Sequence, residues 1–450
     1  MKELDFKGVR VAVLGLAKSG LAALELLQAR GADVRACDAK SLDQLPAAAE
    51  TLDRLKVPFH LQSREALEDA EWIVISPGVP VDLDLLEEAR RKGAHVIGEV
   101  ELAGFFLQGD TIGITGSNGK TTTTALVGHI LKECGIPVQV GGNIGTIPAA
   151  AMVGSSRPGQ WNVLELSSFQ LETIERFRAR IGVALNVTQD HLDRHYTFER
   201  YAAAKGRLFK TQQPGDWAVL NADDPVTAEF AASAPSRPIW FSLTRPVTPG
   251  IWLDGEWLVF DGNPFLEVEE IPLRGRHNVE NVMAGAATAS LAGAPLEGVV
   301  SAIRSFRAVE HRLEYVATVR GVDFYNDSKA TNVDSTLKAI DAFGGSLWII
   351  LGGKDKGSDY APLALPLAAK ARAALLIGAA TPLIAAKLEG SVPLVDCGTL
   401  ENAVETAFRR ASPGDTVLLA PACASFDQFQ NYEHRGRVFK EVVARLAAAG

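Results

Sequence analysis

Three successive βαβ segments, each carrying a largely parallel sheet, make up the α/β fold that this sequence predicts. Three observations carry that expectation. Short apolar runs repeatedly end in a polar or glycine-bearing turn and give way to a helical pattern. The chain has 450 residues, material for about three domains. Finally, the turn Thr115-Gly116-Ser117-Asn118-Gly119-Lys120-Thr121-Thr122-Thr123 stands between an apolar run and a helix-like segment.

The first segment spans residues 1–99. A buried strand is expected at 9–14, a glycine turn at 15–20, a helix at 21–30, and further strands at 33–38 and 72–76. The turn resembles a dinucleotide fingerprint, but Ala17 stands where the middle glycine belongs, so NAD, another nucleotide-like ligand and a purely structural turn all remain open. Nothing in the chain pairs with it as a hydride-transfer site. Asp38 at a strand end, and Ser76-Pro77-Gly78 after another, lie where such sheets bind ligands, outside the strands' carboxyl ends.

The second segment spans residues 100–308, with strands expected at 111–115, 161–166, 181–186 and 217–220. Residues 235–274, richer in Pro, Gly and Trp, read as a small β excursion before a helix at 278–292. The third spans residues 309–450, with strands at 322–326, 347–351, 374–377, 394–397 and 417–420 and an alanine-rich terminal helix. The expected architecture is a Rossmann-like N-terminal domain, a central P-loop domain of ATPase type, and a Rossmann-like C-terminal domain.

Composition narrows the function. With 47% hydrophobic and 22% charged residues the chain is an ordinary globular protein. A net charge of −9 argues against a nucleic-acid partner, whose footprint is a basic stripe. The first residues lack the apolar core of a signal peptide, and no apolar run is long enough to span a membrane. Cys37, Cys134, Cys397 and Cys423 are scattered without a Cys-x-x-Cys pair, which fits a reducing cytoplasm and buried, unbridged thiols.

Chemistry concentrates at the turns. In the phosphate-loop-like turn, Gly116, Ser117, Asn118 and Gly119 let backbone N–H groups close around phosphate oxygens. Lys120 supplies a point charge, Thr121 a hydroxyl for Mg²⁺, and Thr122 continues the helix start. Ile114 replaces the glycine of the commoner spacing. Glu165 closes one strand and His191 lies in the loop after another; both face the phosphate-loop side of a doubly wound sheet, either as metal groups or as a solvated acid and a loop imidazole. Lys205 sits one helical turn after Tyr201 and by itself reads as a surface lysine. In the third segment, polar turns at 326–332, 352–357 and 421–429 suit an anionic, carboxylate-bearing substrate or serve as helix caps.

Taken together these residues resemble the Mur ligase family, the ATP-dependent amide-forming enzymes of peptidoglycan precursor synthesis, over essentially the full length. The phosphate loop carries the family's departure from the commoner spacing. Asn326-Asp327-Ser328-Lys329-Ala330-Thr331-Asn332, Leu164-Glu165-Leu166-Ser167-Ser168-Phe169-Gln170 and the 421–429 turn resemble the member that joins D-glutamate to UDP-N-acetylmuramoyl-L-alanine.

The resemblance implies a monomeric cytoplasmic ligase with ATP and Mg²⁺ at two sites, forming an acyl phosphate before the amide. It implies catalytic roles for Lys120, Glu165, His191 and Lys205, with Thr121, Glu165, His191 and an N-carbamylated Lys205 serving the metals. Nucleotide contacts are implied for Asn278, Asn281, Arg312, Asp327 and Lys329. Substrate contacts are implied for Asn143 (in Gly141-Gly142-Asn143-Ile144-Gly145), Thr331, Lys356, Ser425 and Tyr432, with Asp38, Ser76 and Gly78 on the UDP side. Tyr432 stands where Phe is common, and Ala39 where the uridine loop often has a hydroxyl. A Mur-type ligase with another amino-acid or linkage choice, and a nucleotide-dependent switch without ligation, are the competing expectations. A hinge is expected around residues 305–312.

Overall fold

A computed structural model describes residues 5–143, 147–307 and 309–449. Met1 to Leu4, Ala308 at the expected second boundary, Gly450, and Ile144 and Gly145 of the glycine-rich turn lie outside the described residues. Among the described residues there are three sheets, in two compact units: residues 1–268 with 281–304, and residues 269–280 with 305–450.

The first unit holds two sheets. The N-terminal sheet has five parallel strands in the order Phe59–Leu61, Asp33–Asp38, Arg10–Leu14, Trp72–Ile75, His95–Gly98. Its central strands are continuous apolar runs because helices cover both faces, so no polar side of the pleat is left to alternate. The strand order reverses beside Arg10–Leu14, and there Gly15, at φ +90°, turns the chain into the helix Lys18–Ala29. Ser76 Oγ donates to Gly15 O at 2.7 Å, tying together the two strand ends that carry the expected ligand turns.

The central sheet is larger than the sequence predicts, with nine strands. Val138–Gly142, Trp161–Glu165, Asp110–Thr115, Ile181–Ala184, Trp217–Asn221 and Arg237–Ser242 run parallel, as does Gly250–Asp254 against Arg237–Ser242. Trp257–Phe260 and Asn263–Glu267 add antiparallel. The β excursion is thus a continuation of the central sheet. Its alternating pattern marks the strands, but only backbone pairing shows which sheet they join.

Gly113 and Gly182 are cross-strand partners in this sheet. A Cβ at Gly113 would lie 2.8 Å from Leu208 Cδ1, and one at Gly182 2.9 Å from Phe209 Cε1. These bare positions let the helix Phe198–Lys210 lie close against the strands. Thr197 caps that helix by accepting from Arg200 N, and its Leu208 and Phe209 are fully buried.

The second unit has a six-stranded sheet in the order Glu314–Val319, Val322–Asn326, Thr416–Leu419, Leu347–Gly352, Ala371–Ile377, Leu394–Gly398. All pairs are parallel except the first, an edge strand absent from the sequence expectation. That strand alternates poorly and is half exposed, which hid it. The terminal helix Tyr432–Ala449 packs through Phe439, Val442 and Val443 on one face of the sheet. The helix Arg276–Leu291 begins in the second unit and continues in the first.

Cys37 and Cys423 are buried with their thiol pKa values pushed up to about 11 by burial. Cys134 and Cys397 are only partly covered, so the expectation of four buried thiols holds for two of them; all four are free. Among the described residues, no helix is long and apolar enough to cross a membrane.

Candidate active site

In the first unit, Asp110–Thr115 ends in the phosphate-loop-like turn and Lys120–Glu133 begins the following helix. Gly116 (φ +150°) and Gly119 (φ +86°) take backbone angles that a side chain disfavours. A Cβ at Gly119 would also run into Asn281 Oδ1. The loop is held from the neighbouring strand end: Ser117 N donates to Asn186 O at 2.8 Å and Asn118 N to Asn186 Oδ1 at 2.9 Å. Ser117 Oγ donates to Thr188 O and lies 2.9 Å from the Tyr201 hydroxyl. Thr121 and Thr122 are buried at the helix start.

Gly116 O is the meeting point of two lysines. Lys120 Nζ donates to it at 2.7 Å and to Ser117 O at 2.8 Å, and Lys205 Nζ donates to it at 2.7 Å. Lys205 is only 1% exposed, with its ammonium 4.5 Å above the Tyr201 ring. The surface-lysine reading therefore fails: the closely packed helix buries this side chain. Burial drives its pKa well below the ordinary lysine value, and Lys120 pushes the same way. Asp190 and Glu165 pull it back up only in part.

Glu165 is 1% exposed at the end of Trp161–Glu165. Its Oε1 accepts from Asn143 Nδ2 at 2.8 Å, and Asn143 N donates to Glu165 O at 2.8 Å, so the acid and the expected substrate-contacting amide form one unit. His191 adopts φ +54° beside Asp190, whose Oδ2 is 3.6 Å from its Nε2, and its ring meets Phe169 edge-on at 4.9 Å. In the N-terminal sheet Asp38 Oδ2 accepts from Leu16 N at 2.7 Å and Oδ1 from Lys40 N at 2.9 Å, so this acid shapes the two loops flanking it. Ser76 is buried and Gly78 exposed on the adjacent turn. Asn281, also in this unit, packs on Gly119 and accepts from Thr123 Oγ1 at 3.3 Å.

In the second unit, Asn278 and Arg312 line a cavity of about 370 Å³ with Arg274, Phe306, Tyr315 and Tyr325. Asn278 Nδ2 donates to Arg274 O at 2.6 Å. Burial raises the Asp327 pKa to about 6 against the pull of Arg312, the Leu313 N–H and Lys329. Lys329 Nζ lies 5.0 Å over the Tyr432 ring, and Tyr432 O accepts from Ser328 Oγ at 2.8 Å, a main-chain contact indifferent to Phe or Tyr. Ser425 is buried at the third turn, Lys356 is exposed at the second, and Thr331 is half-buried at the first.

Arg435, which no sequence signal marked, is fully buried in the terminal helix. It joins two of these turns by donating to Ser328 Oγ at 3.0 Å, Ser328 O at 2.8 Å and Cys423 O at 3.2 Å. Asn186 and Asp190 were also missed as site groups; an Asn closing an apolar strand beside a phosphate loop was the available clue.

Known proteins resemble this chain in sequence and in fold. The Mur ligase MurD-like N-terminal domain profile matches residues 9–98, the Mur ligase middle domain 114–289, and the Mur ligase glutamate ligase domain 311–423. A UDP-N-acetylmuramoylalanine–D-glutamate ligase of Solibacter usitatus is 63% identical over 98% of this chain and 99% of its own. A protein of the same name from Acidobacterium capsulatum is 52% identical over 98% and 97%. Among solved structures, UDP-N-acetylmuramate-alanine ligase MurC of Thermotoga maritima shares the fold at a TM-score of 0.63 and 19% identity, covering 98% of this chain and all of that one. A pseudomurein peptide ligase type C from Methanothermus fervidus does so at 0.62. The chain belongs to the Mur ligase family of ATP-dependent ligases.

Proposed function

We propose that this chain joins D-glutamate to UDP-N-acetylmuramoyl-L-alanine, with ATP converted to ADP and phosphate. The relatives named for that reaction, at up to 63% identity along nearly the whole chain, carry the reading. Residues 1–99 bind the UDP-linked substrate, 100–308 the triphosphate, and 309–450 the amino acid. The lactyl-linked alanine carboxylate oxygen attacks the γ-phosphorus, the bond to ADP breaks, and an acyl phosphate forms. The amine nitrogen of D-glutamate then attacks the acyl carbon and loses a proton, the bond from that carbon to the bridging oxygen breaks, and phosphate leaves carrying that former carboxylate oxygen.

This chain's residues serve those steps as positioned charge. Gly116, Ser117, Asn118, Gly119 and Thr122 cradle phosphate oxygens, and Lys120 offsets charge that builds on the transferred group. Asn278, Asn281, Arg312, Asp327 and Lys329 hold the nucleotide. Asp38, Ser76, Gly78 and Asn143 hold the UDP-sugar, and Lys356, Thr331, Ser425 and the Tyr432 main chain hold the glutamate carboxylates. Mg²⁺ at two sites on Thr121, Glu165, His191 and Lys205 would shield phosphate charge. The oxygens of Thr121 and Glu165 suit that ion, which needs few protein groups, while His191 would bring a nitrogen. Lys205 fits a cation only as a carbamate. Burial favours its neutral amine, the form whose nitrogen bonds CO₂ carbon and releases a proton. The reading assigns a monomer, since one chain supplies every contact, in the cytoplasm where ATP and UDP-sugars occur.

A coupled ADP-release assay across amino acids tests it. ADP should appear only with both the UDP-linked substrate and D-glutamate; equal turnover without an amino acid, or with another one, would refute the assignment.

A further inference from the structure

Arg312 sits in an unusual turn. His311 and Leu313, on either side of it, both adopt left-handed backbone angles, φ +65° and φ +40°. Neither residue favours that region, so surrounding contacts must hold the turn. Those contacts converge on Glu314. Its Oε2 accepts from His311 N at 2.9 Å and from Asn326 Nδ2 at 3.0 Å, and the same amide lies 2.9 Å from His311 Nδ1. Glu314 and Asn326 are cross-strand partners, so the sheet edge fixes their spacing.

The terminal helix supplies the other half. Lys440 Nζ donates to Glu314 Oε1 at 2.8 Å and to Glu310 Oε1 at 2.7 Å. One turn earlier on the same helix face stands Gly436, where a Cβ would collide with the His311 ring. The Lys440 side chain is 31% exposed and Glu314 19% exposed, so solvent screens this ion pair only partly. The same turn carries the partners of Asp327: the Leu313 N–H bonds its carboxylate, and Lys329 N donates to His311 O at 3.2 Å.

We propose that Glu314, charge-paired with Lys440, is a positioning residue that presents Arg312 and Asp327 to the nucleotide. A carboxylate is required because one oxygen must accept two N–H groups while the other meets a cation. In Glu314→Gln an amide NH₂ would face either the Lys440 ammonium or the two N–H donors. The C-terminal helix thereby acts on nucleotide affinity without touching the ligand. Glu310, His311 and Glu314 could also be grouped as a metal cluster, but the Lys440 ammonium already stands between the two carboxylates and donates to both.

This rests on the reading that Arg312 and Asp327 contact ATP, so Arg312→Ala serves as the reference. In the full chain, Glu314→Gln should raise KM for ATP about tenfold, with kcat and the other two KM values within about twofold. Lys440→Met should move KM for ATP in the same direction, and Lys440→Arg should restore it. The double variant Glu314→Gln/Lys440→Met should be no worse than Glu314→Gln alone, because both act through one contact. If Arg312→Ala raises KM for ATP while Glu314→Gln does not, the positioning role is overturned and the nucleotide reading stands. If Arg312→Ala leaves KM for ATP unchanged, both fall. Additive losses in kcat with unchanged KM for ATP would reduce Glu314 to a structural residue and overturn the proposal.

Discussion

A lysine whose ammonium is buried between a second lysine and an aromatic ring costs stability unless its charge has a use or is removed. Lys205 is such a residue, and its amine, the Lys120 amine and Gly116 O form one cluster. Lys205→Ala is expected to lose about 10²-fold or more in kcat, the scale of a removed charge stabiliser. Added formate or acetate should restore part of it by placing a carboxylate where the carbamate stood, as ADP-release rates would show. An unimpaired variant would remove the carbamate from the proposal. Glu99 is a second buried titratable group, 2% exposed, whose Oε1 accepts from Ala150 N at 2.5 Å. Burial raises its pKa from 4.5 to about 7. The folded chain therefore retains a proton that the unfolded chain has released. The stability this contributes is complete below about pH 4.5 and is lost as pH rises through about 7. Glu99→Gln keeps an acceptor for Ala150 N and cannot ionise. It should match the parent at low pH and exceed it by up to about 3 kcal/mol at pH 8 in denaturant titrations. A constant difference across that range would contradict the assigned cause. Lys120 and its glycines were legible in the sequence because their spacing is local. The burial of Lys205 was not, since its helix reads as an ordinary amphipathic surface helix.

At the scale of elements, Gly113 and Gly182 decide where the Lys205 helix lies. Both are interior strand positions where glycine weakens the strand, which implies a close approach. Gly113→Val would meet Leu208, Leu166 and Ala179 at once. Overpacking of that kind costs about 1–3 kcal/mol. A lowered Tm and a fall in kcat larger than in any KM are expected, because the displaced helix carries Lys205 away from Gly116 O. A variant of normal kcat would show that the helix seats itself independently of these glycines. Central parallel strands were readable as apolar runs. Edge strands such as Glu314–Val319 and Val138–Gly142 were not, because half-exposed edges lack both the run and clean alternation.

At the scale of the molecule, the residues assigned to one reaction are divided between two compact units, Asn281 in the first and Asn278 in the second. Joining a phosphorylated acid to an amine requires their groups within bonding reach in one transition state. Ligands should therefore alter solution X-ray scattering when ATP analogue, UDP-substrate and D-glutamate are added together; identical profiles would argue against a hinge near residues 305–312. The sequence by itself determined the α/β class, the phosphate loop, the polar turns after apolar strands and the family, since each is written in short-range pattern. Only the tertiary structure decided which strands share a sheet, that Lys205 is buried against Lys120, and that Arg435 and the Glu314–Lys440 pair hold the turns. Those outcomes depend on contacts between residues far apart in the chain, where burial and charge are set by packing rather than by neighbouring residues.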